Sequence, residues 1–342
     1  MKSKSKYEPK NNKVIITMGD PYGIGPETIL KALDSGLIPH DLSPIIIGSR
    51  SILEYTYLQL SKLGINNLKN PEELIIDDIP FNSKLNFGKI DKEAGEASFQ
   101  YIKKALTYIR NKTSKAIVTG PISKYSWSLA GHKYQGQTEL LAKLTNTDNF
   151  AMLFTAKSPI TGWRFNTMLA TTHIAINEIS KTLNSELLER KLDLLLKFCL
   201  QFTKKPRIVI AGLNPHFGEQ GLMGKEEINW INKVILGFQR KHVNAKIIGP
   251  LSPDSCWLKS SHAWQKSCKE PPDGILAMYH DQGLIPVKLI AFDFAVNTTI
   301  GLPFIRTSPD HGTGFDITLQ GKANERSMLE AILTAHEFSG KG

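Results

Sequence analysis

Short β-branched runs alternate along the chain with stretches of helical period. Val14–Thr17 and Ile45–Ile47 read as buried strands, the first ended by the turn residues GDPYGIGP. Pro26 suits the first position of a helix and Glu27 its first turn, so the pattern predicts a helix over 27–37. Further helices are predicted over 51–63, 94–110, 138–144, 185–202, 226–239 and 324–337. Strands are predicted over 116–119, 168–172, 207–211 and 275–278, and around 304–307. Strands that are apolar throughout and alternate with helices predict an α/β fold with helices on both sheet faces. No Gly/Ser linker interrupts the pattern, so two lobes sharing a crossing sheet are expected rather than two separate beads.

Composition narrows the class. Hydrophobic residues make up 41% of 342, enough for a buried core and too much for a disordered chain. No apolar run approaches the roughly 18 residues a membrane span needs, and the basic start MKSKSKYEPKNNK lacks the apolar stretch of a secretory signal. Three cysteines, Cys199, Cys256 and Cys268, fit a reducing cytoplasm and no disulfide scaffold. The net charge of +10 raises a nucleic-acid partner. Four of those charges sit in the first thirteen residues, and residues 1–12 are predicted to be a disordered basic tail. Aromatic residues do not alternate with the basic ones as a strand-binding groove requires. The expectation is therefore a cytoplasmic protein with no nucleic-acid and no membrane partner.

Candidate chemistry gathers in loops that follow predicted strands, where open α/β sheets place their functional groups. His173 in TTHIA, His216 in LNPHFGEQG and His280 in MYHDQG each stand a few residues beyond an apolar run. One such histidine alone reads as a capping or packing residue. Three at equivalent positions leave two readings open, packing or a divalent ion such as Zn²⁺ with positions free for substrate oxygen. Asp281 next to His280, and Asp310 in PDHGTG, read equally as bases or as caps. Arg306 and Lys288, set in apolar runs, read as anion binders or as halves of buried ion pairs. MGDPYGIGPE lacks the third glycine of a dinucleotide fingerprint, and there is neither a Walker A sequence nor a G-x-S-x-G elbow.

Taken together, the segments MGDPYGIGPE, VTGPISK, GQTELLA, TTHIA, GLNPHFGEQGLMGKEE, IGPLSPD, MYHDQGLIPVK and VNTTIGLPFIRTSPDHGTGFD resemble the 4-hydroxythreonine-4-phosphate dehydrogenase family of vitamin B6 biosynthesis. They occur in the family's order from Met18 to about Asp316. The resemblance implies an isocitrate/isopropylmalate dehydrogenase-like fold, two α/β subdomains with the active site in the cleft between them. It implies a homodimer with the site shared across the interface, NAD or NADP as cofactor, and a divalent metal (Zn²⁺, Mg²⁺ or Co²⁺). On that resemblance His173, His216 and His280 hold the metal. Gln137, Thr138, Lys288, Asn297 and Arg306 contact substrate, and Asp254 matches an acidic residue of the family's active site; Asp254 or Asp281, as the catalytic carboxylate, or a water then takes the proton. The implied reaction is oxidation of 4-phosphooxy-L-threonine followed by decarboxylation, with a sister activity on 4-phospho-threonate or 4-phospho-erythronate as the alternative. Two departures stand out. Gln137 replaces the histidine of the family's usual GHTE, and residues 256–272 are longer than its usual connector, which predicts an inserted surface loop.

Overall fold

The computed structural model describes residues 12–340. In chain order its strands are β1 (Asn12–Thr17), β2 (Leu42–Gly48), β3 (Ile75–Asp78), β4 (Ala116–Thr119), β5 (Ala151–Lys157) and β6 (Arg164–Leu169). They continue with β7 (Arg207–Ala211), β8 (Lys246–Leu251), β9 (Gly274–Ala277), β10 (Val296–Ile300) and β11 (Ile305–Pro309). Two compact units divide them: one runs up to Leu141 and resumes at Phe304, and the other is Ala142–Pro303. The expected tail lies outside the described residues except for Asn12, which opens β1 opposite Leu42 and donates through Nδ2 to His336 O at 3.3 Å.

In the first unit the strand order is β3-β2-β1-β4-β11, and every neighbouring pair is parallel. Parallel strands buried on both faces should be apolar throughout. Val14, Ile15, Ile16, Ile46, Ile47, Ile117 and Val118 are accordingly fully buried. Helix Lys92–Arg110 begins where Asp91 accepts a hydrogen bond from Ala94 N at 3.0 Å, a side-chain N-cap. Helix Arg326–Ser339 packs on β11, β1 and β4, and Thr307 donates to Ala331 O at 2.8 Å.

The second unit orders its strands β10-β5-β6-β9-β7-β8; β10, β5 and β6 pair antiparallel and the others parallel. The sequence pattern finds β4 and β7 at their observed ends and sees nothing of β3, β5, β8 and β10. β3 is four residues long and partly exposed, β8 carries Gly249-Pro250, and β10 reads Val-Asn-Thr-Thr-Ile, so none shows an unbroken apolar run. Helix His280–Ala291 is also hidden from the pattern, because Gly283 and Pro286 lie inside it. Gly283 is required by contact: a Cβ there would come within 2.5 Å of a Leu169 methyl, so the helix lies tight on the end of β6. Lys288, expected within a buried apolar run, instead lies on the exposed face of this helix.

Residues 256–272 are not a surface loop. They contain helix Leu258–Gln265, and Cys256, Trp257 and Trp264 are buried in the core with Phe165, Ile275 and Leu284. Backbone carbonyls tie the segment down: Ser158 donates to Trp264 O and Thr161 to Ala263 O, both at 2.7 Å. Trp264→Ala is expected to destabilise the protein by about 3–5 kcal/mol, as a large core truncation does. Chemical denaturation measures it, and a change within about 0.5 kcal/mol would return the segment to the surface.

Candidate functional site

Each unit carries its own group of predicted site residues. In the second unit β6, β9 and β7 are adjacent and parallel, so their carboxyl ends share one edge. The three histidines follow these ends: His173 after β6, His280 after β9 and His216 after β7. Thr171 carries the pairing beyond β6 by bonding Met278 O through its amide at 3.2 Å and its hydroxyl at 2.8 Å. His173 then takes a left-handed backbone (φ 50°) and turns toward the start of the helix that His280 opens. The two imidazoles lie 5.4 Å apart between ring centres, beside an open hollow walled by Thr172, Ile174 and Tyr279. His280 Nδ1 is 2.7 Å from Asp281 Oδ1, which orients the ring.

His216 sits on a left-handed run from His216 to Gln220, four residues of which are not glycine. Such a conformation costs an L-residue roughly 1–2 kcal/mol, so its neighbours must hold it in place. Asp254, exposed beyond β8, accepts from the Ser252 hydroxyl at 2.6 Å. That bond first, with the nearby His216 adding to it, keeps the Asp254 carboxyl below its usual range. Gln282 stitches the edge together: its Oε1 accepts from Met278 N and its Nε2 donates to Gly212 O, both at 2.7 Å. Asn297 lies on β10 opposite Phe154, with Oδ1 buried and unpartnered, and Lys288 places its Nζ 5.6 Å from the Phe292 ring centre.

Three imidazoles form a donor set that suits Zn²⁺ or Co²⁺ better than Mg²⁺, which prefers oxygen. Two of the rings are brought together. Among the described residues, however, no three His, Cys, Asp or Glu side chains close into a metal-holding group.

The first unit gathers Arg306, Thr138 and Gln137. Arg306, on β11, is 3% exposed and donates through Nε and Nη2 to Thr119 Oγ1 (3.1 and 2.8 Å) and through Nη1 to Thr138 Oγ1 (3.5 Å). Burial draws its pKa down to about 10, with Glu139 opposing, so it remains a cation at neutral pH. Gln137 opens a helix and donates from Nε2 to Gly120 O at 2.9 Å. Its Oε1 is buried and unpartnered, so the glutamine turns an acceptor inward, where a protonated histidine would donate.

Sequence reasoning missed Asp20. The sequence pattern shows it only as part of a turn, yet it is fully buried, with Oδ1 accepting from Tyr22 N at 3.0 Å. The signal is an acid three residues beyond a strand whose Val14–Ile16 stretch is wholly apolar.

Comparison with known proteins decides the family. The sequence profile of the pyridoxal phosphate biosynthetic protein PdxA matches residues 40–335. The chain belongs to the PdxA family. Within PdxA-like proteins it is 49% identical over 328 residues to a 4-hydroxythreonine-4-phosphate dehydrogenase of Synechococcus sp. strain RCC307, covering 95% of this chain and 99% of that one. A solved 4-hydroxythreonine-4-phosphate dehydrogenase from Klebsiella pneumoniae superposes with a TM-score of 0.80 at 33% identity, covering 96% and 99%. A D-threonate 4-phosphate dehydrogenase of Pectobacterium atrosepticum is 38% identical, covering 95% and 99%. The PdxA fold is thus an α/β fold, and the protein is a dehydrogenase of that family.

Burial pushes the Asp20 carboxyl up from 3.8 to about 7. A raised folded-state value means that the folded protein binds the proton more tightly than the unfolded chain. The stability Asp20 confers is therefore complete below about pH 4 and lost as pH rises to about 7. Asp20→Asn should flatten the fall in thermal midpoint between pH 5 and pH 8; unchanged slopes in parent and variant would remove Asp20 from the account.

Proposed function

We propose that the protein oxidises 4-phosphooxy-L-threonine to 2-amino-3-oxo-4-phosphooxybutanoate, which decarboxylates to 3-amino-2-oxopropyl phosphate, in pyridoxine 5'-phosphate biosynthesis. A bound NAD or NADP would supply the hydride acceptor for C3, a carboxylate or water would take the hydroxyl proton, and the resulting β-keto acid would lose carbon dioxide. The observation that carries this reading is the delivery of His173, His280 and His216 to one edge by three adjacent parallel strands. The matching name of a relative at 49% identity supports it.

His173, His216 and His280 are proposed to hold a divalent ion. Such an ion, when bound, lowers the pKa of the substrate hydroxyl and stabilises negative charge on the oxygen. Asp254, kept ionised by the Ser252 hydroxyl, and Asp281, hydrogen-bonded to His280, are the proton-accepting candidates. Arg306 offers a fork of N–H donors to the substrate phosphate, with the Thr138 hydroxyl beside it. Lys288 and Asn297 are assigned to the remaining polar ends of the substrate.

A homodimer belongs to the same proposal. Ile285 and Leu289 on helix His280–Ala291, with Phe292 just past its end, are 59%, 81% and 64% exposed, a stripe that a second copy would cover. Among the described residues no helix is long and apolar enough to cross a membrane. A cytoplasmic setting is proposed from the biosynthetic role of the relatives.

Gln137 favours a second reading, the sister activity on 4-phospho-threonate or 4-phospho-erythronate. Its amide is neutral and donates to Gly120 O, so it does not replace the positive charge of the family histidine. Assaying NADH formation in parallel with the amino and hydroxy substrates separates the two. Faster turnover of 4-phosphooxy-L-threonine is expected, and turnover of the hydroxy acid alone would overturn the main reading. Arg306→Lys should raise KM for the phosphorylated substrate about 10- to 100-fold while leaving kcat nearly unchanged, because a point charge replaces a bidentate fork. An unchanged KM would place the phosphate elsewhere.

A further inference from the structure

The left-handed run His216–Gln220 is held from below by one buried acid. Glu227, in a π-helical turn (Glu227–Ile231), is 1% exposed and makes no ion pair among the described residues. Its Oε1 accepts from Leu213 N and Asn214 N, each at 2.8 Å, and its Oε2 from Asn214 Nδ2 at 2.9 Å. Glu226 Oε2 takes the same Asn214 amide nitrogen at 2.8 Å. The run closes down on this carboxylate: a Cβ on Gly218 (φ 86°) would lie 3.0 Å from Glu227 Oε2 and 2.9 Å from Gly224 O. Asn214 is two residues before His216, and Phe217 N bonds back to Asn214 O at 3.0 Å, so the bracket spans the histidine on both sides.

We propose that Glu227 is a positioning residue for His216. A carboxylate that receives three N–H donors fixes their directions more firmly than a neutral acceptor does. Here those donors set where the chain leaves β7 and enters the left-handed run. Glu227 thereby fixes the course of the chain that carries His216 beyond the carboxyl end of β7, without touching substrate or cofactor. Glutamine is a poor replacement despite its shape, because its amide nitrogen would face Asn214 Nδ2, donor against donor.

The proposal rests on the reading of His216 as a metal ligand, and the test separates the two. Co²⁺ is titrated into the full-length, metal-free chain by calorimetry, with its visible absorption followed, for the parent, Glu227→Gln and His216→Ala. Glu227→Gln is expected to keep its far-ultraviolet circular dichroism and to bind Co²⁺ about 10- to 100-fold more weakly, the usual cost of losing a group that orients a ligand. A lower melting temperature with parental Co²⁺ affinity in Glu227→Gln, where His216→Ala has lost affinity, would show a merely structural role and overturn the proposal. Parental affinity in His216→Ala would overturn the metal reading itself. Should Glu227→Gln fail to fold, Asn214→Ser keeps the two backbone bonds and removes the side-chain bond. A several-fold loss of Co²⁺ affinity is expected there, and no loss would overturn the proposal.

Discussion

Parallel pairing of β6, β9 and β7 is the constraint on which the second unit's chemistry depends. Strands that run the same way must all leave the sheet at the same edge, and each needs a loop there to reach the next element. Their interiors are committed to the core, with Leu169, Ile210 and Ala277 essentially without exposure. Polar function is therefore displaced to the residues just beyond. Gln282 then converts nearness into register, since one buried amide bonds both Met278 N and Gly212 O. A polar link of this kind is strong in a low-dielectric setting and costly to leave half-made, which makes the edge rigid.

The same logic places charge in the first unit. β1, β4 and β11 are neighbours and parallel; Asp20 follows β1, Thr119 ends β4 and Arg306 lies within β11. Burial acts on the two ionisable groups in opposite directions. It pushes the Asp20 carboxyl toward neutrality, while the guanidinium stays charged because its pKa starts so far above neutral pH. A buried cation hydrogen-bonded to threonine hydroxyls is suited to a phosphorylated ligand, and burial leaves the Asp20 carboxyl less ionised at neutral pH than an exposed aspartate.

Much of this was legible along the chain because the signal is local. β4 and β7 are short apolar runs ended by turn residues, and the histidines follow such runs by a few positions. What escaped reading depends on partners distant in sequence. Helix His280–Ala291 is formed despite Gly283 and Pro286 because it packs on β6, which no propensity reports. Trp257 and Trp264 read as a surface insertion and are core, packed in one cluster with Phe165 of β6, a strand far back in the chain. Glu227 read as the start of a helix. Its carboxylate is spent on backbone amides 13 and 14 residues earlier, so its role was invisible without the fold.

What the account most depends on is the proposal that the histidines beyond β6, β9 and β7 hold a divalent ion. Anomalous X-ray scattering from crystals of the full-length protein grown with Co²⁺, recorded at the metal's absorption edge, tests it most directly. The account predicts one peak per active site, bonded to imidazole nitrogens of His173, His216 and His280. An active, Co²⁺-loaded enzyme whose peak lies elsewhere, or one with no peak at these histidines, would contradict it.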